Sequence, residues 1–303
     1  IEADLRGEGP KLTQAICTAV DNLVMELSGK AEIAPKDIDG MAVTGNTVML
    51  HLLTGTSTEP LSHAPFAAGR LFGETVTAES LGLASLRPEA AVYLAPCAAA
   101  FVGADLITAV LAGALCDTPG TRLLADIGTN GEMALWHEGA LYCCSTAAGP
   151  AFEGVKTSCG MRSSDGAIDH VTEEGGRLLY HVIGETEPVG ICGSGLLDAA
   201  ACLLKTGFMD ESGRMEKTWH FTPKVGVSQK DIRELQLAKA AIAVGIRLLC
   251  SRYGAEFSDI REVQLAGAFG SYMDPASACA VGLFPSELEH KIRPIGNAAG
   301  EGA

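Results

Sequence analysis

Positive charge is what this sequence has least of. Its 303 residues hold 22 Lys and Arg against 37 Asp and Glu, a formal net charge of -15, and no basic run occurs anywhere. Such a surface repels a phosphate backbone, which excludes nucleic acid as a partner. A small anion would have to be held by backbone N–H groups or a metal ion rather than by side-chain cations. Long apolar runs are missing too. No stretch reaches the roughly 20 residues that a membrane helix needs, and no basic-then-apolar leader opens the chain. A cytoplasmic protein with no membrane partner is expected.

Cysteine pairs of the C-x-x-C kind are also absent. Ten cysteines are scattered at 17, 97, 116, 143, 144, 159, 192, 202, 250 and 279, with no C-x-x-C and no ferredoxin-type spacing. The expectation is buried thiols in a reducing compartment, not an iron–sulfur site. With 47% apolar and 19% charged residues the chain is globular, long enough for one large domain or two ordinary ones. Ile1 leads almost directly into a helical pattern, and GNAAGEGA ends the chain where a helix would begin. Both ends are expected to be cuts through a longer protein.

What is present is an alternation of strand and helix patterns. Apolar residues at Leu12, Ile16, Val20, Leu23, Val24 and Leu27 mark one helix face. A short strand, 41–43, runs into Gly45-Asn46 and a helix to Leu53; residues 54–75 read as irregular. A strand at 91–94 precedes Pro96 and an apolar helix from about 102 to 115. Asp117-Thr-Pro-Gly-Thr121 is the predicted boundary, dividing the chain into 1–117 and 118–303. Beyond it come strands at 122–127, 132–136 and 140–145, with Asn130-Gly131 as a hairpin signal. Strands near 167–171 and 177–183, helices at 194–206 and 228–253, and a last β-turn-α unit from Val263 complete an α/β chain. A strand running into Gly-Asn and then a helix occurs at VTGNTVM and again at PIGNAAG, as two halves on one plan would show.

Four turns carry candidate chemistry. In LLADIGTNGEMALW, Asp126 ends a strand and Gly128, Thr129 and Asn130 form a polar turn. Such a turn can make a backbone anion nest, and the carboxylate can hold Mg²⁺ directly or through water. An ordinary hairpin with a polar tip explains it equally simply. In STAAGPAFEGV, Gly149-Pro150 reads as a helix start with free N–H groups, and Glu153 suits the dipole of that first turn as well as it suits catalysis. GICGSGLLDAA offers Gly193, Ser194 and Gly195, with Ser194 a plain N-cap or a ribose or phosphate contact. LAGAFGSYMDP brings Gly267, Phe269 and Gly270 to a strand end where small residues admit a flat ring. APCAAAFVGAD adds Asp105, a charge in an apolar helix that needs a partner or water. Each turn alone is weak; their order along the chain carries the weight.

That order resembles the superfamily of acetate and sugar kinases, heat-shock chaperones and actin, in which two ribonuclease-H-like lobes close over ATP. DIGTN resembles its second phosphate motif, LAGAFG its adenosine motif, and APCAAAFVGAD its first connecting helix. A narrower likeness joins VTGNTVMLHLL, LLADIGTNGEM, STAAGPAFEG, GICGSGLLDA, SQKDIRELQLAKAA, LAGAFGSYMD and IGNAAGEGA. Together these resemble the ATP-dependent reductive activators of corrinoid proteins over nearly the whole chain.

The resemblance implies an actin-like ATPase fold whose N-terminal lobe is incomplete here. A first D-x-G-T hairpin and a ferredoxin-like [2Fe–2S] domain would both lie upstream of Ile1. It implies ATP and Mg²⁺ as cofactors, with Asp126 on the metal and Asp105 or Glu153 orienting water. A corrinoid protein would be the partner, reduced from Co(II) to Co(I) so that methyl transfer resumes, as in O-demethylation within anaerobic metabolism. The electron would arrive through the ferredoxin-like domain, and a homodimer is a further option. On this reading the intact protein hydrolyses ATP, and residues 1–303 alone are weak or inactive. Two alternatives stay open: a small-molecule kinase on the same fold, and a nucleotide-independent interaction module.

Overall fold

A computed structural model describes all 303 residues. The chain forms two compact units, residues 1–112 with 298–303, and residues 113–297.

In the first unit, α1 (Gly9–Ala31) runs longer than its apolar spacing marks. Pro10 suits its first turn, and Glu32, left-handed at φ 56°, ends it. Its inner face brings Ile16, Cys17, Val20 and Val24 onto a core of Leu50, Leu53, Leu81, Val92 and Leu94. Strands β1 (Gly40–Val43), β2 (Glu74–Thr77) and β3 (Ala91–Leu94) form a sheet in the order β1-β3-β2. β1 is parallel to β3, and β2 is antiparallel to it. β2 lies at the end of the stretch read as irregular, because ETVT is too short and polar to show alternation. After β1, Asn46 Oδ1 accepts the Met49 N–H and caps α2 (Thr47–Leu53). A short α3 (Ala78–Leu81) precedes β3. The helix expected over 102–115 is shorter, α4 (Ala104–Ala112), since Ala114 turns left-handed at φ 46°.

The second unit is built on β4 (Thr121–Ile127), β5 (Gly131–His137) and β6 (Ala140–Thr146), an antiparallel meander. A hairpin of β7 (Ala167–Glu174) and β8 (Arg177–Val182) follows, with β9 (Gly190–Ile191) parallel to β7. Next come α5 (Gly193–Lys205), a ribbon of β10 (Trp219–His220) with β11 (Gly226–Val227), and α6 (Gln229–Tyr253). α6 starts on a capping box between Ser228 and Asp231. The chain then returns as β12 (Ile260–Ala266), α7 (Gly267–Tyr272), α8 (Pro275–Ala280) and β13 (Ile292–Pro294). The central sheet has the order β13-β12-β4-β5-β6, with β12 parallel to both β4 and β13. A three-strand meander continued by two parallel strands is the order of a ribonuclease-H-like lobe. Leu123, Met133 and Leu135 from the sheet meet Leu197, Ile242 and Ile246 from the helices in one core.

Residues 298–303 carry α9 (Ala298–Glu301) and belong with the first unit, whereas the division at 117/118 assigns them to the second. The reason is a close approach: a Cβ at Gly302 would lie 2.6 Å from the Thr108 carbonyl carbon, so only glycine lets α9 settle on α4.

Candidate functional site

The polar turn sits where β4 ends. Asp126 is half-buried, Gly128 is half-buried, and Thr129 and Asn130 are exposed. Gly128 donates its N–H inward to the Asn130 carbonyl, so Thr129 and Asn130 are the outward-facing residues of the turn. The Asn130-Gly131 pair does make a hairpin, but neither residue has a positive φ, as a type I′ turn would need. Gly131 is the first residue of β5, and a Cβ there would collide with Ile242 Cδ1 of α6. Its role is helix-on-sheet packing. Gly128 is different, for a Cβ there would meet nothing closer than Glu153 Oε1 at 3.8 Å.

The Gly149–Pro150 segment is not the start of an α-helix. Residues Pro150–Glu153 make one 3-10 turn, bracketed by Gly149 at φ 79° and Gly154 at φ 75°. The second left-handed glycine stops the helix after a single turn, so little dipole develops. The turn is nevertheless joined to the hairpin at two points. Gly149 donates its N–H to the Thr129 carbonyl at 2.9 Å, and the Thr129 hydroxyl donates to Glu153 Oε1 at 2.6 Å. Open space surrounds the position a Cβ would take at Gly149.

Gly193, Ser194 and Gly195 form the first turn of α5, and all three are buried. Ser194 is not an N-cap; Cys192 holds that position, and the Ser194 hydroxyl donates to the Asp169 carbonyl at 2.9 Å. A Cβ at Gly193 would lie 2.8 Å from the Phe152 carbonyl carbon, and one at Gly195 would lie 2.9 Å from that of Ile168. Gly193 is required by backbone packing against the 150–153 turn, and Gly195 by packing against β7.

β12 delivers the last motif. Ala266 is the ladder partner of Asp126, so Gly267 emerges beside it. A Cβ on Gly267, itself at φ 85°, would stand 2.7 Å from Asp126 Oδ1. Phe269 is half-buried and stacks on Phe152, with centroids 4.3 Å apart and planes at 22°. Gly270 is buried, 3.1 Å from Leu265 Cβ by the same measure, and serves packing. Thus four segments of the second unit converge: 126–130, 149–153, 193–195 and 267–270. Asp105 belongs to the first unit, in the opening turn of α4. There its carboxylate accepts the Leu106 N–H at 3.0 Å and lies over Gly103. Glycine is needed at 103 because a Cβ would be 2.5 Å from Asn46 Cα, so Asp105 shares this corner with the Gly45-Asn46 turn.

Two residues escaped the sequence reading. Phe152 looks like filler between Ala151 and Glu153, and nothing local reveals its distant ring partner. Glu132 is 6% exposed and stands directly across the ladder from Asp126, on the same face. Counting back from the turn would have found it.

No three His, Cys, Asp or Glu side chains are gathered as a metal site. A cation at Asp126 would therefore draw its remaining ligands from phosphate and water, which is the habit of Mg²⁺. That fits a metal delivered with a nucleotide. The ten cysteines are free thiols and do not assemble the ligands of an iron–sulfur cluster in this chain. Burial pushes the thiols of Cys143, Cys144, Cys250 and Cys279 up to about 11, the behaviour of packing residues.

Family models match nearly the whole chain: the RACo middle region at residues 2–118, and the C-terminal domain of RACo, the ASKHA domain, at 120–303. The chain belongs to the RACo family. Members are reductive activators of corrinoid proteins, and residues 120–303 have the actin-like ATPase fold. The corrinoid activation enzyme RamQ of Eubacterium limosum is 36% identical over 334 aligned positions, covering 99% of this chain and 56% of RamQ. The [Co(II) methylated amine-specific corrinoid protein] reductase of Methanosarcina barkeri is 29% identical over 301 positions, 86% of this chain and 54% of that protein. Among solved structures, a reductive activator for corrinoid, iron-sulfur protein superposes with a TM-score of 0.87 at 31% identity, over 99% of this chain and 52% of that one. The chain spans about half the length of these RACo relatives. No helix is long and apolar enough to cross a membrane.

Proposed function

We propose that this chain is the ATP-binding and ATP-hydrolysing part of a reductive activator that couples ATP to reduction of Co(II) to Co(I) in a corrinoid protein. The partner would be a corrinoid protein of methyl transfer, with the electron supplied from a [2Fe–2S] domain outside these residues. One observation carries the reading: Asp126, Thr129, Glu153, Gly149 and Phe269, from three separate segments, meet at one end of the second unit's sheet.

Bound Mg-ATP supplies the phosphoanhydride whose hydrolysis drives the cycle. Asp126 would hold the metal, and Thr129 and Asn130 would meet phosphate oxygens through backbone donors, with open space at Gly149 admitting the anion. Glu153, anchored by the Thr129 hydroxyl, is the acid placed to orient water. Phosphoryl chemistry of this kind needs positioning and electrostatics, not a covalent intermediate. Gly267 and Phe269 would seat the nucleoside. Coupling to the partner can be only as large as the difference in nucleotide affinity between conformations.

The test is ATP-dependent Co(II) reduction by the full-length protein with its corrinoid partner, comparing wild type with Asp126→Ala. Loss of a preorganised charge at the reacting phosphate should cost about a hundredfold or more in rate. An unchanged rate removes Asp126 from the mechanism.

A further inference from the structure

Phe152 has no role in the nucleotide reading as stated, yet it is where the site's segments meet. Its ring is 4% exposed and lies flat on Phe269 of the adenosine segment. Its carbonyl is clamped against Gly193, where even a methyl group would not fit. The next residue, Glu153, receives the Thr129 hydroxyl, and three residues earlier Gly149 donates to the Thr129 carbonyl. The turn that holds Phe152 is a single 3-10 turn between two glycines of positive φ, Gly149 and Gly154, with few residues between the Phe152 ring and the Thr129 contacts. A displacement of the Phe269 ring is therefore passed through Phe152 to Glu153 and Thr129. A flexible aliphatic side chain at 152 could absorb the same displacement.

We propose that Phe152 is a positioning residue that makes recognition of the nucleoside and of the phosphate chain cooperative, so that the site prefers a nucleoside triphosphate over bare polyphosphate by more than its nucleoside contacts alone supply. This rests on the nucleotide reading above. It assigns Phe152 no contact with the ligand. The rings are already stacked, so a base seated against Phe269 biases an existing arrangement, and the close approach of Gly193 to the Phe152 main chain leaves little slack around the turn.

The experiment is calorimetric binding of Mg-ATP and of Mg-tripolyphosphate to the full-length protein, as wild type, Phe152→Leu, Phe269→Leu and the double variant. The ratio of ATP to tripolyphosphate affinity reports the coupling. An aromatic pair adds up to about 1.5 kcal/mol beyond its buried area, so Phe152→Leu should lower the ratio about fivefold to tenfold, and Phe269→Leu, which also loses its own contact with the nucleoside, at least as far. The double variant should lower it no further than Phe269→Leu alone, because Phe152 acts only through that ring. Phe152→Met loses the ring while keeping an apolar side chain that can fill the gap, and serves if Phe152→Leu folds poorly. Equal weakening of both ligands would show a merely structural role and overturn the inference, as would additive losses in the double variant. A wild type that binds tripolyphosphate and ATP equally overturns the inference alone. A wild type that binds neither overturns the nucleotide reading and the inference with it.

Discussion

Replacing Gly193 by alanine tests the packing beneath the site most directly. The added methyl would sit inside van der Waals distance of the Phe152 carbonyl oxygen, 2.8 Å from its carbon and 3.0 Å from Phe152 Cα. All three atoms are main chain, so no side chain can swing away. Gly193, Ser194 and Gly195 are buried, and the 150–153 turn is held by Thr129 on its other side. Relief requires the start of α5 and the turn to separate. Overpacking of this kind costs about 1–3 kcal/mol, and with both neighbours rigid the upper half of that range, about 2–3 kcal/mol, applies. In a unit of the size of residues 113–297, each kcal/mol lowers the midpoint by about 2–4 °C, giving a fall of about 4–12 °C. Differential scanning calorimetry measures it on the transition of the second unit, since two units need not melt together. Gly29→Ala is the control. Gly29 lies in α1 with nothing within 4 Å of its would-be Cβ, and Ala there should add about 0.5–1 kcal/mol. A Gly193→Ala protein melting within a degree of wild type would refute the claim that this glycine exists for backbone approach.

Further outcomes follow from burial. Asp198 is 3% exposed, and burial outweighs its hydrogen bonds from His170 and the Val171 N–H, raising its carboxyl above the usual 3.8. The folded state then binds this proton more tightly than the unfolded chain. The contribution to stability is therefore complete below 3.8 and is lost as pH rises towards the folded-state value. Denaturant midpoints measured across that window should carry a falling component in wild type that Asp198→Asn lacks, and parallel curves would contradict it. The thiols of Cys143, Cys144, Cys250 and Cys279, held at about 11, should react with iodoacetamide at pH 8 at least about a hundredfold more slowly than a free thiol of ordinary pKa near 8.5. Mass spectrometry after timed labelling reads this, and rates comparable to glutathione would count against inert cysteines.

What could be read from the sequence was what depends on neighbours along the chain. Asp126 followed by Gly128, Thr129 and Asn130 is a strand end and a turn in any context, and so is β12 entering Gly267. The failures share one cause. Gly193-Ser-Gly195 has the look of a ligand loop, and the sequence does not show that its glycines also answer to the carbonyls of Phe152 and Ile168, which no local pattern names. Gly149-Pro150 has the look of a helix start, and it is Gly154 in the left-handed region that cuts the helix to a turn. Residues 298–303 join the first unit through a contact at Thr108, far back in the chain. In each case the same residue type serves a local or a distant need, and only the fold decides between them.

The order of the motifs was informative where each alone was not, and the sheet explains why. β4 and β12 are adjacent and parallel, so their C-terminal ends lie side by side, with Ala266 opposite Asp126. In α/β sheets, ligand crevices form outside those ends. Parallel neighbours require a long crossover, and here the crossover contains the meander, the β7–β8 hairpin, α5 and α6. A chain that places D-x-G-T-N at the end of one strand, Gly-x-Gly at the head of α5 and A-G-A-F-G at the end of the returning strand can bring the three together only if the strands pair in this register. A one-residue slip of β12 on β4 would turn alternate side chains to the opposite face and carry Gly267 away from Asp126. The Phe152–Phe269 stack goes with that register, and it ties the 150–153 turn to the segment that follows β12.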